Sequence, residues 1–144
     1  MKKNWLAWIL PGAAVLILDR LVKIAAEQGV LFPAFQTAVL NSGMAFGWFQ
    51  GNTATILLFS VALVALCLFL LRKMKPTGLA PVALSLIAGG ALGNMIDRIA
   101  YGYVIDMFPF FGWFVFNVAD AGVVAGAILC GISLLFRPRD WSKA

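Results

Sequence analysis

Histidine is missing from the chain altogether. Its absence excludes Ser-His-Asp and Cys-His nucleophile systems, imidazole-held zinc and imidazole proton relays. Cysteine is scarce: Cys67 and Cys130 each lie inside an apolar run with no ligand-type residue nearby, so both read as small buried hydrophobes. Neither a metal site nor a disulfide framework is indicated, and no cofactor is expected. Charge is scarce too, at 12% of 144 residues against 62% hydrophobic, with a mean hydropathy of +0.95. A soluble domain of this size would present more polar surface to water, so the composition is that of a membrane protein. Helices of about 20 residues leave room for four or five crossings, and residues 1–144 are expected to form one integral membrane domain.

Four apolar segments can be read directly, over about 5–26, 53–71, 79–100 and 115–136, each long enough to cross about 30 Å of hydrocarbon. The fold expected is all-α, with four transmembrane helices. Net charge is +5, which in a soluble protein would point to nucleic acid, but its placement is topological. Lys2 and Lys3 precede the first segment, Arg72, Lys73 and Lys75 follow the second, and Arg137, Arg139 and Lys143 follow the fourth. The connections 28–52 and 101–114 contain no Lys or Arg, so the positive-inside rule puts both termini in the cytoplasm and these two loops outside. No nucleic-acid partner is expected. The Lys-Lys start resembles a secretory signal, but the apolar run is too long and lacks a small-residue exit, so it reads as a retained first helix.

The outer loops are rich in rings: Phe32, Phe35, Phe46, Trp48 and Phe49 in the first, Tyr101, Tyr103, Phe108, Phe110, Phe111, Trp113 and Phe114 in the second. Such rings favour the bilayer interface. Val30 to Phe32 and Thr37 to Leu40 predict short strands, so a small extracytoplasmic, partly β-stranded subdomain is expected there.

Polar residues inside the apolar segments fall at one depth. Asp19 and Lys23 stand about 21 and 27 Å above the cytoplasmic end of the first segment, and Asn94, Asp97 and Arg98 about 22 to 28 Å up the third. The fourth runs the other way, with Asn117 and Asp120 close to its outer end. Each set also shares a helix face by its i,i+3 or i,i+4 spacing. Charged groups within a bilayer cost at least about 2.5 kcal/mol each, so they face protein or water and are functional candidates by default. The plainer alternative is that Asp19 with Lys23, and Asp97 with Arg98, neutralise each other as structural pairs. The G-x-x-x-G spacings Gly89/Gly93 and Gly122/Gly126 read as close helix packing.

Asp106, in the apolar setting Val104-Ile105-Asp106-Met107-Phe108, and Asp120 both lack a local counter-ion. Two carboxylates brought close in a low-dielectric place share a proton, giving one acid and one base at one pH. An aspartic peptidase needs that arrangement. The alternative is an Asp capping the fourth helix and an Asp in a solvated turn.

Five ordered blocks complete the pattern: Asp19 to Lys23, Asn41-Ser42-Gly43-Met44-Ala45-Phe46, Gly89 to Arg98, Val104-Ile105-Asp106, and Phe116-Asn117-Val118-Ala119-Asp120. With them the chain resembles the lipoprotein signal peptidases, or signal peptidase II, over nearly its whole length. The resemblance implies an enzyme of the bacterial cytoplasmic (inner) membrane, with its active site on the extracytoplasmic side. It would remove the signal peptide from prolipoproteins carrying diacylglycerol on the cysteine after the cut. It implies Asp106 and Asp120 as the catalytic pair, Asn94, Arg98 and Asn117 as polar residues lining the site, and Asn41 as a loop residue holding substrate. Asp19, Lys23 and Asp97 take supporting roles. Membrane lipid and globomycin-type cyclic peptide inhibitors are implied as further partners. Val22, Met44 and Ala121 depart from the residues usual in that family, and the connection between Asp106 and Asp120 is short. Two rivals remain: a Ser/Lys peptidase using Lys23 with Ser42, and a small transporter with Asp19, Asp97 and Asp120 as an ion path. The inner halves of the four segments carry no polar relay to continue such a path.

Overall fold

A computed structural model of the chain describes residues 5–29, 38–43 and 49–141. Four long helices dominate it: α1 (Trp5–Glu27), α2 (Thr53–Lys73), α3 (Ala80–Tyr101) and α4 (Val118–Phe136). Among the described residues, four three-residue strands lie between them: β1 (Val39–Asn41), β2 (Val104–Asp106), β3 (Phe108–Phe110) and β4 (Phe114–Phe116), and a 3-10 turn at Pro138–Trp141 follows α4. Among the described residues, α2, α3 and α4 are long and apolar enough to cross a membrane.

Helix α3 is the centre, packed against α1, α4 and α2. It starts with Pro81 in its first turn, where a missing N–H costs nothing, and ends at Gly102, whose φ of +81° closes a left-handed cap. Small residues let its neighbours approach to backbone contact. A Cβ on Gly89 would run into the backbone of Gly12, and one on Gly126 of α4 into the carbonyl of Ala83. The G-x-x-x-G spacings are thus packing devices. Pro11 sits inside α1, and beside it Ser85 of α3 ties the two helices together: its hydroxyl accepts from the Gly12 N–H at 2.9 Å and donates to the Ile9 carbonyl at 3.4 Å.

Helix α1 is inside-out in polarity. Leu6, Ile9, Leu10, Ile17, Leu18 and Leu21 are exposed, whereas Asp19 and Lys23 are buried against the bundle. Cys67 is buried with Leu84 and Ile87, Cys130 packs on the same cluster, and both are free thiols.

Two expectations are corrected at the end of the bundle where the strands lie. The fourth helix begins at Val118, not near residue 115, because Phe114-Val115-Phe116 pairs as a strand with Phe108–Phe110. Bulky aromatic and β-branched residues suit a strand, and Asn117 then caps the helix. In the connection 28–52, Val30 to Phe32 and Thr37 fall outside the described residues. The strand seen there is Val39–Asn41, and its partner comes from the second loop, with Asn41 opposite Val104 and Val39 opposite Asp106.

Candidate active site

Four charged side chains form a closed group where α1 meets α3. Arg20 Nη2 reaches Asp19 at 2.7 Å and its Nη1 reaches Asp97 at 2.6 Å, while Lys23 Nζ lies 2.9 Å from Asp19 and 2.6 Å from Asp97. Two cations and two anions cancel. Both carboxylates are fully buried and Lys23 is 2% exposed, so the pairing is what makes the group tolerable in a low-dielectric interior. Each carboxylate also accepts a main-chain N–H. Asp97 takes that of Ile105 at 3.3 Å, and Asp19 takes that of Ala119 at 2.9 Å. Ile105 immediately precedes Asp106, and Ala119 immediately precedes Asp120. The ionic group therefore ties down the backbone beside both candidate catalytic residues.

Local structure then aims the two carboxylates at each other's surroundings. Asp106 ends β2, and Asp120 is the third residue of α4, where it forms a capping box with Asn117: Asp120 N–H donates to Asn117 Oδ1 at 2.8 Å and Asn117 N–H to Asp120 Oδ2 at 3.3 Å. Amide side chains bridge the pair. Asn117 Nδ2 donates to Asp106 Oδ1 at 2.7 Å and to Asn94 Oδ1 at 3.0 Å, and Asn94 Nδ2 donates to Asp120 Oδ1 at 2.6 Å. Lys23 Nζ points into this chain, 3.3 Å from Asn94 Oδ1. Asp120 is thus both a helix cap and a member of the polar cluster. Asp106 does not lie in a solvated turn: it is 1% exposed.

The remaining oxygen of Asp106 accepts from Asn41 Nδ2 at 3.0 Å, and Asn41 Oδ1 accepts from the Gly43 N–H at 2.9 Å. Arg98 Nη2 donates to the Gly43 carbonyl at 2.9 Å. Its charge acts on Asp120, Asp106 and Asp97, and its buried Nε has no hydrogen-bond partner among the described residues. Burial pushes the Asp106 carboxyl up from 3.8 to about 6. The hydrogen bond from Asn41 opposes that shift, the nearby Asp120 carboxylate adds to it, and Asn117 and Lys23 oppose it. A carboxyl that keeps its proton until near neutrality beside a second carboxylate is suited to acid–base work.

A family model described as signal peptidase (SPase) II matches residues 12–136. The chain belongs to that family. It is 38% identical to a lipoprotein signal peptidase of Rhodopseudomonas palustris, over 82% of this chain and 85% of the relative. It is 40% identical to one of a Methylobacterium species, over 92% and 88%. It also superposes on a solved structure described as a bacterial membrane enzyme obtained by the in meso method, with a TM-score of 0.81 and 27% identity, covering 96% of this chain and 93% of the other.

All the residues for which resemblance to the signal peptidase II family implied a role, Asn41, Asn94, Arg98, Asp106, Asn117 and Asp120 with Asp19, Lys23 and Asp97, gather at this one end of the bundle. The pairing of Asp97 with Arg98 does not occur. Asp97 is held by Arg20 and Lys23 instead, and Arg98 turns to Gly43. The pairing of Asp19 with Lys23 does occur. Arg20 was missed by sequence reasoning, although its place beside Asp19 and three residues before Lys23 was a usable signal. Met44, Ala45 and Phe46 of the second family block lie outside the described residues.

Proposed function

We propose that the chain is a membrane-embedded aspartic endopeptidase that removes the signal peptide from diacylglyceryl-modified prolipoproteins, cutting before the lipidated cysteine. Membership of the signal peptidase II family supplies the reaction, a peptide-bond cleavage on prolipoproteins. The observation that carries the aspartic assignment is the bridged pair: Asp106 and Asp120, joined through Asn117 and Asn94, with Asp106 raised to about 6 by burial.

In the proposed step the pair holds one proton. The ionised carboxylate takes a proton from water as it attacks the scissile carbonyl. The protonated one donates a hydrogen bond to the carbonyl oxygen and later helps protonate the leaving amine. The pair titrates as a unit. Asn94 and Asn117 hold its geometry, Asn41 positions both Asp106 and the Gly43 turn, and Arg98 brings a positive charge beside both carboxylates.

The topology proposed with it has four spans in one integral domain over 1–144, both termini cytoplasmic, and the site on the extracytoplasmic side of the bacterial inner membrane. The inside-out polarity of α1 supports it as the fourth span, since its exposed face is apolar and its charges are neutralised internally. Substrate lipid and globomycin-type cyclic peptides would meet the same outer site.

The test is incubation of the purified protein with a diacylglyceryl-modified prolipoprotein, followed by mass analysis of both products. Cleavage before the lipidated cysteine, unaffected by serine-directed reagents, is expected. Cleavage elsewhere, or block by a serine reagent, would return the Lys23 and Ser42 pair to consideration.

A further inference from the structure

We propose that the β3–β4 hairpin is a membrane-inserted anchor, whose tip rings enter the outer leaflet and fix the depth at which Asp106 and Asp120 stand. The inference rests on the reading of those two residues as the catalytic pair. Its own content is the hairpin and the lipid it meets.

From Met107 to Phe116 the chain contains no charged and no hydrogen-bonding side chain apart from the Trp113 indole. Register places Phe108 opposite Phe116 and Phe110 opposite Phe114, so period-two alternation puts all four rings on one face. They pack there, the first pair tilted with centroids 5.6 Å apart and the second stacked at 5.0 Å. Beyond this plate the tip projects: Phe111 is 86% and Trp113 83% exposed.

The turn itself shows that these rings are not a by-product of chain reversal. Trp113 N–H donates to the Phe110 carbonyl at 2.9 Å, and the two central residues, Phe111 and Gly112, have φ of +47° and +76°. Such a turn favours Asn or Asp followed by Gly, and a bulky residue with positive φ is strained. Phenylalanine in the first position is the wrong choice for the backbone. It is the right choice for a surface that meets hydrocarbon.

Lipid is the occupant that the surroundings fit. An isolated two-stranded hairpin is marginal in water and needs an apolar face to bury against. A Trp at a tip otherwise made of Phe and Gly is the type favoured at the bilayer interface. The hairpin also rises between the ends of two spanning helices. Tyr101 closes α3, is half exposed and stacks on Tyr103 at 5.8 Å, and α4 begins two residues after β4.

The coupling to the site is covalent and short. Met107 alone separates Asp106 from β3, and its N–H donates to the Phe116 carbonyl at 3.1 Å. Phe116 leads directly into Asn117 and so to Asp120. A hairpin held at a given depth therefore holds both carboxylates at a related one.

The experiment uses full-length protein in lipid bilayers, with Trp5, Trp8, Trp48 and Trp141 replaced by Phe so that Trp113 is the sole indole. Phosphatidylcholine brominated at defined acyl positions should quench it, most strongly from the shallow positions and without substrate, whereas aqueous iodide should have little effect. Quenching by iodide but not by brominated lipid would overturn the proposal. So would lipid quenching that appears only after lipidated substrate is added, which would make the hairpin a substrate cover. Should the four replacements disturb folding, a nitroxide on Phe111→Cys, with Cys67 and Cys130 replaced by Ala, gives the same depth from its relative accessibility to oxygen and a nickel chelate. In the double variant F111S/W113S, the ratio of cleavage in bilayers to cleavage in micelles should fall about tenfold; an unchanged ratio would contradict the depth-setting role. The depth measurements need no activity, so a failed dyad leaves an inserted Trp113 standing and the two readings fall separately.

Discussion

Replacing Lys23 by Met tests the buried ionic group. Methionine keeps most of the apolar stem and its packing but deletes the ammonium, which lies 2.9 Å from Asp19 and 2.6 Å from Asp97 at 2% exposure. Arg20 then faces two fully buried carboxylates alone, and one negative charge is left over. Breaking a buried pair by removing one partner costs about 3–5 kcal/mol, against at most about 1 kcal/mol for an exposed pair. Adding Asp97→Asn restores neutrality, since Arg20 can pair with Asp19 and the new amide oxygen can still accept the Ile105 N–H. The double variant should therefore be more stable than Lys23→Met alone, with a coupling of at least about 2 kcal/mol. Reversible unfolding in mixed micelles, driven by increasing dodecyl sulfate and followed by tryptophan emission, measures wild type, Lys23→Met, Asp97→Asn and the double variant. A loss below about 1 kcal/mol for the single variant, or strictly additive losses, would refute the reasoning. The same variant bears on the rival base: the contacts of Lys23 Nζ among the described residues are two carboxylates and the Asn94 amide, none of them a serine.

Further outcomes follow from the site. Because burial raises Asp106 to about 6, the contribution of this group to folding stability should be present below about pH 4 and be lost as pH rises through 6, by about 3 kcal/mol at 1.4 kcal/mol per pH unit. Melting temperatures between pH 4 and 8 should show that slope in the wild type and a shallower one in Asp106→Asn. Asn41→Ala removes a hydrogen bond that favours the ionised Asp106, so the alkaline limb of kcat/KM should move up by roughly half to one pH unit; a downward move would contradict the assignment. Gly90→Ala puts a Cβ against the carbonyl of Ala119, next to Asp120, and should cost about 1–3 kcal/mol in stability and lower kcat, both read on one purified sample. A cysteine placed at exposed Gln50 should react with an impermeant maleimide in intact cells once the outer barrier is open. Labelling only after the inner membrane is breached would reverse the topology.

The helices were legible because their signal is compositional: long apolar runs ended by basic clusters leave little choice. The polar residues were legible by depth and face, and the structure brings those three sets together at one end. The strand at Val39–Asn41 and its partner at Val104–Asp106 were harder, since a three-residue strand carries almost no periodicity and its pairing crosses two loops. The start of α4 was misplaced because Phe114 to Phe116 continues the apolar run unbroken, and only the Asn117 cap marks the boundary. Asp97 beside Arg98 invited a local pairing, yet Arg98 turns to the Gly43 carbonyl and Lys23 reaches Asp97 from the neighbouring helix. Arg20, one helix away, satisfies Asp97 instead. The main-chain contacts that Asp19 and Asp97 make beside Asp120 and Asp106 were invisible, because they depend on which helices cross.

The most direct test of the account is cleavage of a diacylglyceryl-modified prolipoprotein by Asp106→Asn, Asp120→Asn and the double variant, each shown to be folded in detergent and inserted in the membrane. Asparagine keeps the size and part of the hydrogen bonding but cannot exchange a proton with water, so half of the acid–base pair is lost. Each single variant should lose cleavage, by similar factors, and the double should be hardly worse, because groups acting as one unit are not additive. A folded single variant that keeps activity within about tenfold of wild type would show that Asp106 and Asp120 are not the catalytic pair.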